Sequence, residues 1–235
     1  MSKIEYRVEN KYIVSDLELA ILDGRLRSVM QQDIHQEGDS YEIRSIYFDD
    51  ARNTCMDEND AGVDMRRKYR IRTYAPSLSA LNLEIKEKQR GYTKKTACHL
   101  TEEEYRAIVH KGGQLPFGEK QPLNQLLLQM RCHKMEPKVV VVYERTAFVH
   151  PAGNVRITFD RNILASKDCG SFFDGHVSGL TPVLPAGMHV LEVKYDELLP
   201  DLIARQLEIG RLRQTAFSKY YLGRYAVNGI FPHIQ

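Results

Sequence analysis

Polar and apolar residues alternate along much of the chain, and a period of two is the pattern of strands with one apolar and one polar face. Eight segments show this alternation and are the predicted strands: residues 3–14, 41–49, 66–74, 81–88, 92–100, 137–149, 154–160 and 188–196. Arg90-Gly91 is a typical hairpin turn between two of them. The chain is therefore predicted to be mainly an antiparallel sheet.

Fewer helices are predicted, and they lie between or after the strands. Two pairs match the reciprocal capping pattern of a helix start: Ser15 with Glu18, and Thr101 with Glu104. Apolar residues at three- and four-residue spacing predict further helices over residues 123–133, 199–209 and 217–227. Residues 169–187 contain glycines, prolines and aromatics without a period, which predicts a long surface loop. Because no linker interrupts this order, residues 1–235 are expected to form a single domain.

Ionisable side chains occupy one face of five predicted strands. They are Glu5, Arg7, Glu9 and Lys11; Lys68, Arg70 and Arg72; Glu84, Lys86 and Lys88; Arg156 and Asp160; and Glu192, Lys194 and Asp196. The opposite faces are apolar, as at Ile71, Ile85, Ile157 and Val193. One charged face is typical of a solvated sheet, whereas five together indicate a charged ligand. If helices cover the apolar faces, the charged faces turn inward around the cavity of a closed barrel.

A local basic cavity of this kind suits a chain of phosphates. The net charge is only +2, from 33 basic and 31 acidic side chains, so the surface as a whole does not attract polyanions. Arginine binds phosphate oxygens in pairs, and lysine acts as a point charge. The glutamates supply oxygen ligands for a hard cation such as Mg²⁺ or Mn²⁺. Since the cationic side chains around the empty cavity repel one another, removal of one of them is expected to leave the stability of the protein without ligand equal or higher.

The sequence contains no apolar run of membrane-spanning length, and its first residues lack the apolar stretch of a signal peptide. A cytoplasmic protein without direct membrane insertion is therefore expected. The cysteines are far apart in sequence, so they are expected to be reduced and to have no metal role: Cys55, Cys98, Cys132 and Cys169.

Eight short motifs follow one another along the chain. They are ENKYIV with Lys11, RSIYFD at residues 44–49, RKYRIRTY with Arg70 and Arg72, LEIKEK with Lys86, VYERTAF with Arg145, VRITFD with Arg156, VLEVKYD with Glu192 and Lys194, and FSKYYLGRY with Lys219. Together they resemble the triphosphate tunnel metalloenzymes, a CYTH-like superfamily, and especially the polyphosphate polymerase (VTC) domain, over nearly the whole chain. The resemblance implies an α+β fold in which an antiparallel β-barrel forms a tunnel with helices packed on its outside.

The charged faces and the resemblance together assign roles to individual residues. The catalytic set is Lys11, Arg70, Arg72, Lys86, Lys194 and Lys219. Further phosphate-binding residues are Arg7, Lys88, Arg145 and Arg156, and the expected metal ligands are Glu192, Glu9 and Glu84. The strand pattern reaches most of these positions independently, but Arg145 and Lys219 rest on the resemblance alone.

The resemblance implies phosphoryl transfer on ATP, triphosphate or polyphosphate, above all polyphosphate synthesis from ATP. Hydrolytic relatives have Glu-x-Glu-x-Lys on the first strand, and Arg7 replaces the first acid here, which favours the polymerase. The alternatives are a triphosphate hydrolase with water placed by Glu9 or Glu84, a non-catalytic polyphosphate binder, and a nucleic-acid binder. Nucleic acid is disfavoured because the inward faces lack aromatic platforms for bases. A membrane-protein partner for export of the product is left open.

Overall fold

The computed structural model describes residues 7–74, 80–89, 92–210 and 212–230. Within these residues, ten strands form one antiparallel sheet: β1 (Val8–Ser15), β2 (Gln31–Gln32), β3 (Tyr41–Asp49), β4 (Arg66–Tyr74), β5 (Asn82–Gln89), β6 (Tyr92–His99), β7 (Glu136–His150), β8 (Val155–Ser166), β9 (Thr181–Pro182) and β10 (Met188–Tyr195). Their order is β1-β10-β8-β7-β3-β4-β5-β6, with β2 beside β7 and β9 beside β8. The predicted hairpin turn at Arg90-Gly91, and Ile4, Glu5 and Tyr6, lie outside the described residues.

The sheet is strongly curled. Lys86 Nζ of β5 lies 3.3 Å from Glu9 Oε2 of β1, although five strands separate β1 from β5 in the sheet order. In a flat sheet, strands six positions apart are about 29 Å from each other. The curl therefore makes a half-barrel with β1 and β6 at its edges. The predicted α+β fold with an antiparallel, barrel-like sheet is confirmed, although the described strands form an open half-barrel rather than a closed one.

In the described part of the chain, six α-helices pack around the sheet: α1 (Asp16–Arg27), α2 (Thr54–Asp60), α3 (Glu102–His110), α4 (Gln121–His133), α5 (Asp201–Gln206) and α6 (Lys219–Ala226). Both predicted capping boxes are present, at the starts of α1 and α3. The outer faces of the strands are apolar and covered, since Ile71, Ile85, Ile157 and Val193 are all buried. Helix α4 contacts β5 and β6, and α1 contacts β1 and β10. No helix in the described part of the chain is both long and apolar enough to cross a membrane.

Residues 169–187 are the predicted surface loop only in part. Many of them are exposed, but the segment also contains a short 3₁₀ helix and strand β9, and Phe172, Val183 and Leu184 are buried. Phe172 stacks on Tyr105 of α3, with ring centroids 5.7 Å apart. Where an irregular segment packs on the core its carbonyl groups need donors, and the Arg44 guanidinium donates to the carbonyls of Phe172, Asp174 and Gly175. Aromatic anchoring and this arginine hold the segment against the core, and neither feature has a sequence period.

Helix α6 packs on the concave face of the half-barrel. A Cβ atom added at Gly223 would lie 3.1 Å from Val141 Cγ2 and 3.4 Å from Ala165 Cβ, so this glycine lets α6 approach β7 and β8 closely. Tyr143 follows Val141 on the same face of β7. The first residue of α6, Lys219, is thereby brought in front of the charged strand faces.

Candidate functional site

A cavity of about 140 Å³ lies in the concave side of the half-barrel. Among the described residues, nine lysine and arginine side chains line it: Lys11, Lys68, Arg70, Arg72, Lys86, Lys95, Arg145, Lys194 and Lys219. Three carboxylates join them: Glu9, Glu84 and Glu192. They converge because residues two apart on a strand share a face, and the curl turns these faces toward one another. Among the described residues the lining thus has six more cationic than anionic groups.

Three of the residues assigned from the sequence lie outside this lining. Arg156 is directly opposite Lys194 in the sheet, but its guanidinium pairs with Asp33. Arg7 pairs with Asp196 at 3.2 Å and donates to the carbonyl of Asn154. Lys88 follows Lys86 on the same face of β5, beyond the lining. The expectation that Arg156 points into the shared cavity is therefore wrong, because Asp33 holds it at the margin.

Glu9 of β1 and Glu192 of β10 form a carboxylate pair on neighbouring strands, close enough for each charge to affect the other. Lys194 Nζ lies 3.2 Å from Glu192 Oε1 and 3.6 Å from Glu9 Oε2, and Lys11 Nζ lies 3.1 Å from Glu9 Oε1. Burial raises the pKa of Glu192, but the charges of Lys194 and Lys11 outweigh burial and hold this pKa well below its usual range. Both lysines therefore keep Glu192 ionised.

Glu84 bridges two cations on the wall formed by β4, β5 and β6. Its Oε2 accepts from Arg70 Nε at 2.6 Å, and its Oε1 lies 2.5 Å from Lys95 Nζ. Burial opposes ionisation, yet Arg70, Arg72 and Lys95 lower the pKa of Glu84 to about 2. This carboxylate orients the guanidinium of Arg70, and both of its oxygens are occupied.

Asp160 of β8 likewise bridges two cations, on the side of the cavity formed by β7 and α6. Its two oxygens accept from Arg145 Nε at 2.6 Å and from Arg145 Nη2 at 2.8 Å, and its Oδ2 lies 2.5 Å from Lys219 Nζ. The side chain is fully buried, and although burial opposes ionisation, Arg145 and Lys219 lower the pKa of Asp160 to about 2. One carboxylate thus fixes two of the cations that face the cavity.

Two lining cations, Arg72 and Lys68, have no carboxylate within ion-pair distance in the described part of the chain. Arg72 donates to Ser45 Oγ at 3.4 Å and to the Tyr143 hydroxyl at 3.0 Å. Among the residues that the structure describes, Lys68 donates only to neutral oxygens, those of the Asn59 amide and the Ser218 hydroxyl. An anion that enters the cavity can contact these two side chains without displacing a carboxylate.

Aromatic rings also line the cavity, although the prediction concerned only open platforms on which bases could stack. The rings belong to Tyr47, Tyr143, Phe217 and Tyr220. Several are already covered: Lys219 Nζ lies 4.8 Å from the Tyr143 centroid, and Tyr47 packs on Tyr220 at 5.5 Å. Burial alone would raise the pKa of Tyr47, but Arg70 and Arg72 lower it below its usual value. These rings support the cations rather than offer open stacking surfaces.

The donor set allows a test of whether a divalent metal fits. The described residues contain no group of three or more His, Cys, Asp or Glu side chains that could enclose a metal ion. The Glu9–Glu192 pair does place two carboxylates side by side in the cavity. Mg²⁺ is commonly held by one or two carboxylates together with substrate phosphates and water, so this pair fits such an ion. Glu84 fits less well, because Arg70 and Lys95 occupy its oxygens.

Comparison with protein families identifies the chain. The sequence profile of the VTC domain matches residues 6–228, which is most of the 235 residues. The chain belongs to the VTC domain family. A search of curated proteins found no match to this VTC domain.

Solved structures resemble this VTC domain at low sequence identity. A proposed adenylate cyclase from Bacillus halodurans is 14% identical, with 87% of each chain covered and a TM-score of 0.51. The PH1819 protein from Pyrococcus horikoshii OT3 is 13% identical, with 88% of this chain and 93% of that chain covered and a TM-score of 0.44. The first of these likenesses supports the half-barrel fold.

Sequence reasoning missed some of the residues that build the cavity of this VTC domain. Lys95 could have been identified from the sequence, because it lies opposite Lys86 in the β5–β6 hairpin. Its side chain therefore lies on the same face of the sheet as that of Lys86. Lys68 and Asp160 were recognised on charged faces but received no role. Ser218 and Phe217 enter the lining only through the docking of α6, which no local pattern indicates.

Proposed function

We propose that this VTC domain transfers phosphoryl groups on a triphosphate or polyphosphate chain held in the cavity, and that it makes polyphosphate from ATP with a divalent cation. The excess of six cationic groups in one concave, partly buried cavity carries this proposal. A phosphate chain has the charge and the length to contact many such groups at once. Membership of the VTC domain family supports an activity that involves triphosphate groups.

The cations are held in place before any substrate binds. Arg70 is fixed by Glu84, and Arg145 and Lys219 are fixed by Asp160. Donors that are already oriented lose little free energy to reorganisation when charge spreads over a transferring phosphoryl group. These residues therefore bind the phosphate oxygens and stabilise the transition state, while the carboxylates behind them maintain the geometry.

Glu192 and Glu9 are the residues that would hold a Mn²⁺ or Mg²⁺ ion. When bound, such an ion would act as a Lewis acid and would offset the negative charge that develops during transfer. Lys11 and Lys194 keep these carboxylates ionised, and thus able to act as ligands, over the whole neutral range. In the proposed reaction, Lys86 binds phosphate beside the same pair, since its Nζ lies 3.3 Å from Glu9.

A polymerase is favoured over a hydrolase by the state of the carboxylates in the lining. A general base must accept a proton, but Glu9, Glu84 and Glu192 all have pKa values lowered by neighbouring cations, which makes them weak bases. Arg7, which replaces the first acid of the hydrolytic motif, is turned toward Asp196. A terminal phosphate that attacks ATP is already ionised and needs no strong base.

Product analysis tests the proposal. The purified protein would be incubated with ATP and Mn²⁺, and the products separated by size and by charge. Chains of many phosphates together with ADP are expected. Orthophosphate alone would indicate the hydrolase, no turnover with tight tripolyphosphate binding would indicate a binder, and cyclic AMP would indicate the activity for which the Bacillus halodurans protein is named.

A further inference from the structure

Lys68 of β4 differs from most of the cations around it. Its Nζ donates to Asn59 Oδ1 of α2 at 2.5 Å and to Ser218 Oγ, at the start of α6, at 3.0 Å. Both acceptors are neutral. The side chain is half-buried and lines the cavity between β4 and the start of α6.

Positive charge surrounds this amine. Lys11 of β1, Lys86 of β5 and Arg66 of β4 all act on it. The Cys55 thiol of α2 supplies no compensating charge, because burial raises the pKa of this thiol well above its usual range. Lys11 and Lys86 have Glu9 as a partner, whereas Lys68 forms no ion pair within the residues that the structure describes. A half-buried ammonium without a counter-ion is costly, so this position is stabilised when an anion arrives.

We propose that Lys68 is a further phosphate-contacting residue of the cavity, and that its amine takes up a proton from solvent when a phosphate chain binds. The inference rests on the proposed function. It adds a residue outside the assigned set and predicts that substrate binding and proton uptake are coupled. The step is a simple protonation: neutral amine and solvent proton give an ammonium that donates to a phosphate oxygen.

The electrostatic surroundings give the coupling its pH range. Burial, together with Lys11, Arg66 and Lys86, lowers the pKa of Lys68 to about 7. At pH 8 the free amine is therefore mostly neutral, and a bound phosphate raises its pKa by supplying the missing anion. Binding of the chain should then draw about one proton per site at this pH.

Calorimetric titration with tripolyphosphate tests the inference. The titration would be run without added metal at pH 8, in buffers of different ionisation enthalpy, so that proton uptake is measured with the affinity. Lys68→Met removes the amine, and Lys68→Arg keeps a charge that does not titrate. Lys94→Met is the matched control, because Lys94 is an exposed neighbour of Lys95 on the outer face of β6.

The wild type and Lys94→Met should take up equal amounts of proton, and both Lys68 variants should take up about one proton less. Lys68→Met should also bind roughly tenfold more weakly at pH 6, while Lys68→Arg should retain its affinity. The midpoint temperature of thermal unfolding of each Lys68 variant should equal or exceed that of the wild type, which would show that the variants are folded. Equal proton uptake by Lys68→Met and wild type would overturn the inference and leave the proposed function intact. Failure of the wild type to bind tripolyphosphate would overturn both.

Discussion

Asp160→Asn should destabilise the protein strongly, because this carboxylate is the shared partner of two cations. Asp160 is fully buried, binds Arg145 through both oxygens and lies 2.5 Å from Lys219 Nζ. Asparagine has nearly the same size, so the packing is retained. It lacks the negative charge, however, and its amide would present a donor to groups that are themselves donors.

Two estimates of the magnitude agree. Removal of one partner from a buried ion pair typically costs about 3–5 kcal/mol. Glu192 Oε2 remains 3.7 Å from Arg145 Nη2 and retains some of the attraction, so the lower part of that range applies. The pKa of Asp160 is about 2 in the folded protein against 3.8 ordinarily, which corresponds to about 2 kcal/mol. A loss of roughly 2–3 kcal/mol is expected.

Urea unfolding at pH 7 measures this loss. Asp23→Asn is the control, because Asp23 pairs with Arg27 at 2.7 Å on the surface, where such pairs contribute about 0.2–1 kcal/mol. Tripolyphosphate should restore part of the stability of Asp160→Asn, since the anion replaces the missing charge. If Asp160→Asn loses no more than Asp23→Asn, the buried carboxylate does not hold the two cations and the reasoning fails.

Three further outcomes are expected. Glu192→Gln should abolish metal-dependent turnover with the fold and tripolyphosphate binding retained, and unchanged turnover at saturating Mn²⁺ would show that the metal is held elsewhere. Lys86→Ala should lower activity at least tenfold but change the free energy of unfolding by less than about 1 kcal/mol, because its pair with Glu9 is solvent-accessible. Stability contributed by Asp160 and Glu84, whose pKa values are depressed to about 2, should be complete above about pH 4.5 and lost as the pH falls toward 2. Urea unfolding at a series of pH values checks this. The free energy of unfolding of Asp160→Asn should fall less steeply at acid pH than that of the wild type.

Much of the sheet could be predicted because its strands have one apolar and one charged face. The bounds of β3 and β4 match the alternating segments residue for residue. The inward direction of Arg70, Lys86 and Glu192 follows from the same parity. The short strands β2 and β9 and the helix α2 were missed, since two residues or two turns carry no measurable period.

The partner of each charge could not be predicted, because partners come from distant parts of the chain. Arg70 shows the consequence. Self-repulsion of an empty cavity suggests that removal of any cation is harmless to stability, yet Arg70 neutralises the buried Glu84. Removal of Arg70 would leave that carboxylate with Lys95 alone, so a loss of stability is expected instead. Removal of the cation is still expected to leave the stability equal or higher at Lys86, which is exposed, and at Lys68, which has no counter-ion among the described residues.

Lys219 shows why position in the fold, rather than residue type, decides the role of a cation. A lysine at a helix start is ordinarily solvated, and nothing in the spacing of residues 217–227 distinguishes this one. Its surroundings arise from three separate features: Gly223 admits α6 to the concave face, Tyr143 lies under the ammonium, and Asp160 binds it. Asp160 also orients Arg145, so docking of α6 and alignment of the β7 cation depend on one carboxylate. Loss of the Asp160 carboxylate should therefore disturb phosphate binding by two cations at once, although only one of them belongs to the helix.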